Sequence, residues 1–289
     1  MAIIIDGKKV AAEVRARVAA GSAEFLCKHG RRPRLAVIRV GDDAASAIYV
    51  RNKMRACAEV GFDSEDCILP DGITQEELIG EIEKRNTAPE VDGILLQLPI
   101  PKGYDTAAAI AAVAPEKEVD AFGNLDAGHL RFSDSEILPC TPAGIMELLR
   151  RYDIPVAGSE CVVIGRSDIV GRPMAALLLA ADGTVTVCHS KTRDLASFTR
   201  RADILVSAVG RAGLVNGDMV KPGAAVIDVG MNRATDGRLC GDVDFASVEP
   251  VAGYITPVPG GVGPMTVAML MQNTLTAARR RAKKIYEEK

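Results

Sequence analysis

The sequence predicts an α/β protein of two domains, and three observations carry that reading. At 289 residues the chain exceeds the usual reach of one hydrophobic core, so two are expected. Helix-like and strand-like patterns alternate along it, which is how parallel sheets are built. In the second half a glycine loop, Gly165-Arg-Ser-Asp-Ile-Val-Gly171, stands between an apolar run and a helical pattern. Such a turn places backbone N–H groups where a pyrophosphate can sit.

From the start, Lys8 to Leu26 has an amphipathic helical rhythm, and His29 beside Gly30 reads as a helix C-terminus. Arg34-Leu-Ala-Val-Ile-Arg-Val40 reads as a strand, and Ala44 to Val60 as a helix stopped at Gly61. Thr74 to Arg85 is a helix with a capping signal, Thr74 and Glu77 three residues on. Val91 to Leu98 is a strand halted by Pro99 and Pro101. Between Pro115 and Pro142 the periodicity fades and turn residues gather, which marks a connection between domains. A helix follows from Thr141 to about Tyr152. The apolar runs Ala202–Gly210 and Ala224–Gly230 read as buried parallel strands whose small terminal residues leave room for a ligand. Thr256-Pro-Val-Pro-Gly-Gly-Val-Gly-Pro264 is a rigid irregular loop, and a long helix from Met265 to near Lys284 closes the chain.

Composition narrows the function classes. The hydrophobic fraction is 48% and the charged fraction 25%, as in soluble globular proteins. A net charge of −3 offers no general attraction to nucleic acid or to an anionic membrane, and no segment approaches a membrane span. Arg279-Arg-Arg-Ala-Lys-Lys284 reads as the solvated face of a terminal helix. Seven scattered cysteines without a C-x-x-C pair argue against a disulfide framework and a zinc site, and point to a reducing cytoplasm. Three histidines do not support a His-based metal site, so no metal is expected.

The glycine loop is not G-x-G-x-x-G, and by itself it is equally a structural βα turn. The next predicted strand, Thr184-Val-Thr-Val-Cys188, ends in His189-Ser190. An NAD enzyme usually carries Asp or Glu at that tip to accept from the ribose 2′-OH. Here nothing repels a 2′-phosphate, Arg166 can pair with one and Ser190 can donate to it, so the reading leans to NADP.

Tyr49 and Lys53 are four residues apart on a predicted helix and share a face, placing a proton donor beside a cation. An ordinary surface helix explains the spacing as well. Gln97 sits at a strand's carboxyl end before the double-proline turn, and Asp120 follows the mixed-charge segment Glu116-Lys-Glu-Val119. A carboxylate, an amide and an amine together can read a heterocycle's donor and acceptor pattern while the amine handles protons. Each alone is more often structural; their joint placement favours an active site in a cleft between domains.

Six motifs in order then identify a likeness: Tyr49-Val-Arg-Asn-Lys53, Gln97-Leu-Pro-Ile-Pro101, Pro139-Cys-Thr-Pro-Ala-Gly144, Gly165 to Pro173, Cys188-His-Ser-Lys-Thr192 and Thr256 to Thr266. The chain closely resembles the bifunctional methylenetetrahydrofolate dehydrogenase/cyclohydrolase family over almost its whole length. The resemblance implies a folate-binding domain from residues 1–139 plus 265–289 and an NADP-binding Rossmann domain from 140–264. It implies Lys53 as the principal catalytic residue, Tyr49 packing on the folate ring system, Gln97 orienting Lys53, and Asp120 holding the pterin, with Leu96 and Leu98 beside them. Cofactor contacts map to Gly165, Arg166, Ser167, Ser190 and Met231, and the folate-side loop to Pro259, Gly260, Gly261 and Gly263. A homodimer is implied as well. Where the family reads Asp-Gly-Phe-His-Pro, this chain has Asp120-Ala-Phe-Gly-Asn124, and a usual Asn is Asp126; losing Pro and gaining Gly123 is expected to loosen that loop. A single retained activity, or ligand binding without turnover, are the competing expectations.

Overall fold

The computed structural model describes residues 1–122, 136–234 and 237–287. In chain order the elements are β1 (Ile3–Ile4), α1 (Gly7–His29), β2 (Arg34–Val40), α2 (Ala44–Glu59), β3 (Asp63–Leu69), α3 (Gln75–Thr87), β4 (Gly93–Leu96) and α4 (Thr106–Ala111). Then come α5 (Cys140–Arg151), β5 (Glu160–Ile164), α6 (Gly171–Ala180), β6 (Thr184–Cys188), α7 (Leu195–Thr199), β7 (Ile204–Ser207) and β8 (Ala225–Asp228). The hairpin β9 (Asn232–Arg233) and β10 (Leu239–Cys240), α8 (Phe245–Val248), β11 (Tyr254–Ile255) and α9 (Val262–Glu287) complete it. No helix among the described residues is long and apolar enough to cross a membrane.

Two compact units result. The first comprises the described part of Glu13–His129 with Glu136–Leu138 and Val267–Lys289. Its parallel sheet has the order β3-β2-β4, with Arg34 opposite Asp63 and Leu35 opposite Gly93. Ile38, Leu78, Ile82 and Ile94 form the centre of its core. The predicted cap of α3 is present in full: Thr74 Oγ1 accepts from Glu77 N at 3.1 Å, and Glu77 Oε2 accepts from Thr74 N at 2.7 Å. Asn273, 2% exposed on α9, donates its amide N–H groups to Val119 O and Leu138 O at 2.9 and 2.8 Å. The terminal basic run is not wholly a solvated face. Arg279 and Arg280 are half exposed, but Arg281 turns inward, bonding to Val91 O and lying 3.6 Å from the buried Asp92 carboxylate. That aspartate, fully buried, also takes both guanidinium N–H groups of Arg31 at 2.6 and 2.7 Å. A fully buried carboxylate needs such partners to remain charged.

The second unit is Met1–Ala12 with Pro139–Thr266. Its main sheet has six strands, all parallel, in the order β1-β11-β8-β7-β5-β6, around a core that includes Val162, Ile164, Leu205, Val226 and Ile255. From β5 the chain turns to β6 on one side and then crosses to β7 on the other, which puts the sheet's switch point at β5 and β7. Ile3 pairs with Tyr254 and Ile4 with Ile255, so residues 1–12 fall in this unit rather than with the rest of 1–139. The final helix also starts earlier than its sequence pattern shows. Val262, Gly263 and Pro264 form its first turn, where proline's missing N–H costs nothing.

Candidate active site

In the first unit, strand pairing continues one residue past β4 and so fixes Gln97: its N–H donates to Ile38 O at 2.8 Å. The side chain, in a residue only 8% exposed, is engaged at both ends. Nε2 donates to Leu98 O at 2.6 Å, which leaves Oε1 to accept from Lys53 Nζ at 2.8 Å. A neutral amide orients an ammonium without cancelling its charge, unlike a carboxylate. Lys53 stands on α2, one turn beyond Tyr49, which is 43% exposed. The two residues that the sequence could associate only by type, Lys53 and Gln97, are thus in direct contact.

Asp120 reaches the same strand end by another route. Ile94 N–H donates to Lys117 O at 2.7 Å, and Ile94 bridges Glu118 in parallel register. Two residues on, that register sets Asp120 beside Leu96, and both line a water-sized cavity of about 10 Å³. Leu96 itself is 6% exposed in the core, with Leu98 packed against it. Ala121, buried beside Asp120, has φ 58, the left-handed region where a Cβ is strained. Phe122 N–H donates to Glu118 Oε1 at 2.7 Å. Gly123 and Asn124, expected to loosen this loop, and Asp126 lie outside the described residues.

In the second unit the main chain, more than side chains, makes the site. Gly165 follows β5 with φ 121, and a Cβ there would lie 2.4 Å from Ala208 O at the end of β7. Gly171 opens α6, where a Cβ would lie 2.4 Å from Gly165 O. Only a loop lacking both side-chain carbons folds this tightly at the switch point. Ser167 Oγ accepts from the N–H groups of Val170 and Gly171 at 3.3 and 3.2 Å, so it tethers the loop to the helix start. Arg166 is exposed. Gly165 N–H donates to Cys188 O at 2.8 Å, joining the loop to the tip of β6, where Ser190 is exposed. That tip is closed by His189 N–H on Thr192 Oγ1 at 2.8 Å, and the first carboxylate beyond it, Asp194, caps α7. A Cβ-free cradle with Arg166, Ser167 and Ser190 at its rim fits a phosphorylated dinucleotide.

Met231 follows β8 and is 47% exposed. Gly263 lies close to it, since a Cβ on Gly263 would be 3.9 Å from Met231 Sδ. The Pro259–Gly263 loop therefore falls in the nucleotide unit, pinned by Gly261 N–H on Pro257 O at 2.8 Å and by Lys8 N–H on Gly260 O at 3.1 Å.

Two acids that pattern reading passed over lie beneath these loops. Asp242, fully buried, accepts from Val209 N, Arg211 N and Asn232 Nδ2 at 2.8, 2.8 and 2.9 Å, and from Gly210 N and Ser207 Oγ at 3.2 Å. Asp228, 3% exposed, accepts from Gly230 N, Asp242 N and Val243 N at 2.9, 2.9 and 3.0 Å. Burial raises the Asp228 carboxyl to about 6, against the pull of those N–H bonds. Asp242 sits in Gly241-Asp-Val-Asp244, which reads as a polar turn, while Asp228 is an acid inside the apolar run Ala224–Gly230, the one weak local hint. Among the described residues no group of three His, Cys, Asp or Glu stands where it would hold a metal ion.

A parallel sheet with a glycine loop at its switch point, joined to a unit bearing a half-buried amine held by a buried amide, defines an α/β dinucleotide-dependent enzyme. Residues 5–120 match the catalytic domain, and residues 139–282 the NAD(P)-binding domain, of tetrahydrofolate dehydrogenase/cyclohydrolase. The chain is 54% identical over 281 residues to the bifunctional protein FolD of Burkholderia multivorans, covering 97% of this chain and 98% of that one. Among solved structures, the bifunctional FolD of Campylobacter jejuni superposes with a TM-score of 0.94 at 45% identity, over 97% of this chain and all of that one. The Trypanosoma brucei FolD, solved with NADP and an inhibitor, gives 0.92 at 42% identity, over 97% and 98% of the two chains. The chain belongs to the tetrahydrofolate dehydrogenase/cyclohydrolase family. The expected fold class and the resemblance are borne out: this is a bifunctional oxidoreductase and hydrolase of folate chemistry that uses NADP.

Proposed function

We propose that this protein oxidises 5,10-methylenetetrahydrofolate with NADP and hydrolyses the resulting 5,10-methenyltetrahydrofolate to 10-formyltetrahydrofolate, with Lys53, Tyr49, Gln97 and Asp120 as its catalytic and folate-binding residues. The observation that carries the residue assignment is the 2.8 Å bond from Lys53 Nζ to Gln97 Oε1. Folate binds through the first unit, with Leu96 and Leu98 contributing, and the family likeness adds the loop residues Pro259, Gly260, Gly261 and Gly263. NADP is held through 140–264 by Gly165, Arg166, Ser167, Ser190 and Met231. Bound there, the nicotinamide would accept a hydride from the methylene bridge, a step that needs alignment more than proton transfer. The methenyl carbon left behind is cationic between two nitrogens. Water attacks that carbon, Lys53 exchanges a proton with the water and with the departing ring nitrogen, and the ring opens. Gln97 keeps the amine aimed, Tyr49 offers a flat face to the substrate ring, and Asp120 receives the pterin's N–H donors.

The test is a pair of steady-state assays, NADP reduction with methylenetetrahydrofolate and hydrolysis of the methenyl compound, each repeated with NAD in place of NADP. Both activities, with NADP preferred, are expected. Hydrolysis without reduction, or the reverse, reduces the proposal to a single activity, and binding without turnover overturns it. The protein is further proposed to act in the cytoplasm, in keeping with seven free thiols, and to form a homodimer on the family likeness. A single monomeric species in sedimentation would remove the dimer.

A further inference from the structure

We propose that Asp242 is a positioning residue for the cofactor: its buried carboxylate sets the loops after β7 and β8 in the shape that receives NADP. The inference rests on the NADP-dependent oxidation argued above. Asp242 touches two parts of the chain, residues 207–211 and Asn232, that are distant from each other and from it in sequence. Its oxygens take the N–H groups of Val209, Gly210 and Arg211, which are the loop leaving β7. They also take the Asn232 amide at 2.9 Å, next to Met231, and the Ser207 hydroxyl at the end of β7. The loop after β7 is in turn one wall of the glycine cradle, because Gly165 packs against Ala208 O and lies near Val209 Cγ1. Asp228 supports the arrangement from below by accepting the N–H groups of Gly230, Asp242 and Val243.

Five donors converge on one carboxylate. An amide in its place has a single acceptor oxygen, and its own NH₂ would point at N–H groups. The loops would then part, although nothing in the Lys53–Gln97 pair would change. Such small misplacements of a bound reactant cost roughly 10–100-fold in rate.

The experiment compares wild type with Asp242→Asn, measuring KM and kcat for NADP in the dehydrogenase assay, NADPH binding by its own fluorescence, and methenyl hydrolysis without cofactor. The expected result is an NADP KM raised about tenfold or more, weaker NADPH binding, and hydrolysis within about twofold of wild type. Equal loss of both activities would make Asp242 a general stability residue, and loss of neither would remove it from the cofactor site; either overturns the proposal. Should Asp242→Asn fail to fold, Asn232→Ala removes one strut and is read by the same ratio, with a smaller shift in KM expected and no shift counting against it. If wild type itself lacks NADP reduction, the functional reading fails instead, and the two failures stay distinct.

Discussion

The two units hold their reactive groups by opposite means. In the first, a side chain is aimed by another side chain: Lys53 from α2 meets Gln97 beyond β4, and the amide is locked by Leu98 O. In the second, the backbone is the instrument, bent by Gly165 and Gly171 where no Cβ fits, and pinned from beneath by Asp242 and Asp228. Proton transfer needs one atom of a given basicity at a given point, which a side chain supplies. A dinucleotide is long and carries phosphates, and many N–H groups on a rigid loop suit it better. The comparison predicts that damage will separate by activity.

The largest effect is expected from Lys53→Met, which should lower methenyl hydrolysis by about 10²-fold or more, while NADPH binding, followed by fluorescence, stays as in wild type. Full hydrolysis in that variant would take Lys53 out of the chemistry. Next comes the pH dependence of stability. Asp228 holds its proton more tightly folded, at about 6, than at its ordinary 3.8. Its contribution is therefore complete below pH about 4 and lost as pH rises through about 6, on the order of 3 kcal/mol. Asp228→Asn should flatten the rise of Tm toward acid across that window, and an unchanged profile would show that the carboxyl titrates normally.

Gly165→Ala is the converse of the lysine change. With φ at 121 and Ala208 O 2.4 Å from the new carbon, it should cost about 2 kcal/mol and impair NADP reduction well before hydrolysis. Parallel loss of both would break the proposed separation. The smallest effect sharpens the first unit. Ala121→Gly, at φ 58 beside Asp120, should raise stability by about 1 kcal/mol in denaturant melts, because glycine carries no Cβ penalty there. A destabilised variant would mean that the buried methyl is worth more than the strain.

What pattern could reveal depended on burial. The seven residues of β2 are legible in the sequence because six are buried, giving the apolar run Leu35–Ile38 and Val40, broken only by the buried Arg39. The helix caps at Thr74 and Gly30 were equally plain, being local chemistry. The edge strand β3 is not legible in the sequence, since Asp63, Ser64, Glu65 and Asp66 hide the alternation that ends at Cys67 and Leu69. Strands of two residues, β1 and β11, carry no period at all; only their pairing makes them strands.

The sequence alone determined the kinds of element, their alternation, the glycines that a tight βα turn demands, and the family to which their order belongs. These are properties of short windows, where propensity and steric rules act between neighbours. Tertiary structure decided that Lys53 and Gln97, 44 residues apart, share a hydrogen bond, and that Asp242 serves two loops at once. It also decided that residues 1–12 complete the nucleotide sheet. Such contacts join distant segments through the packing of whole sheets, and a hydrogen bond has no signature in a chain until both partners are brought within about 3 Å.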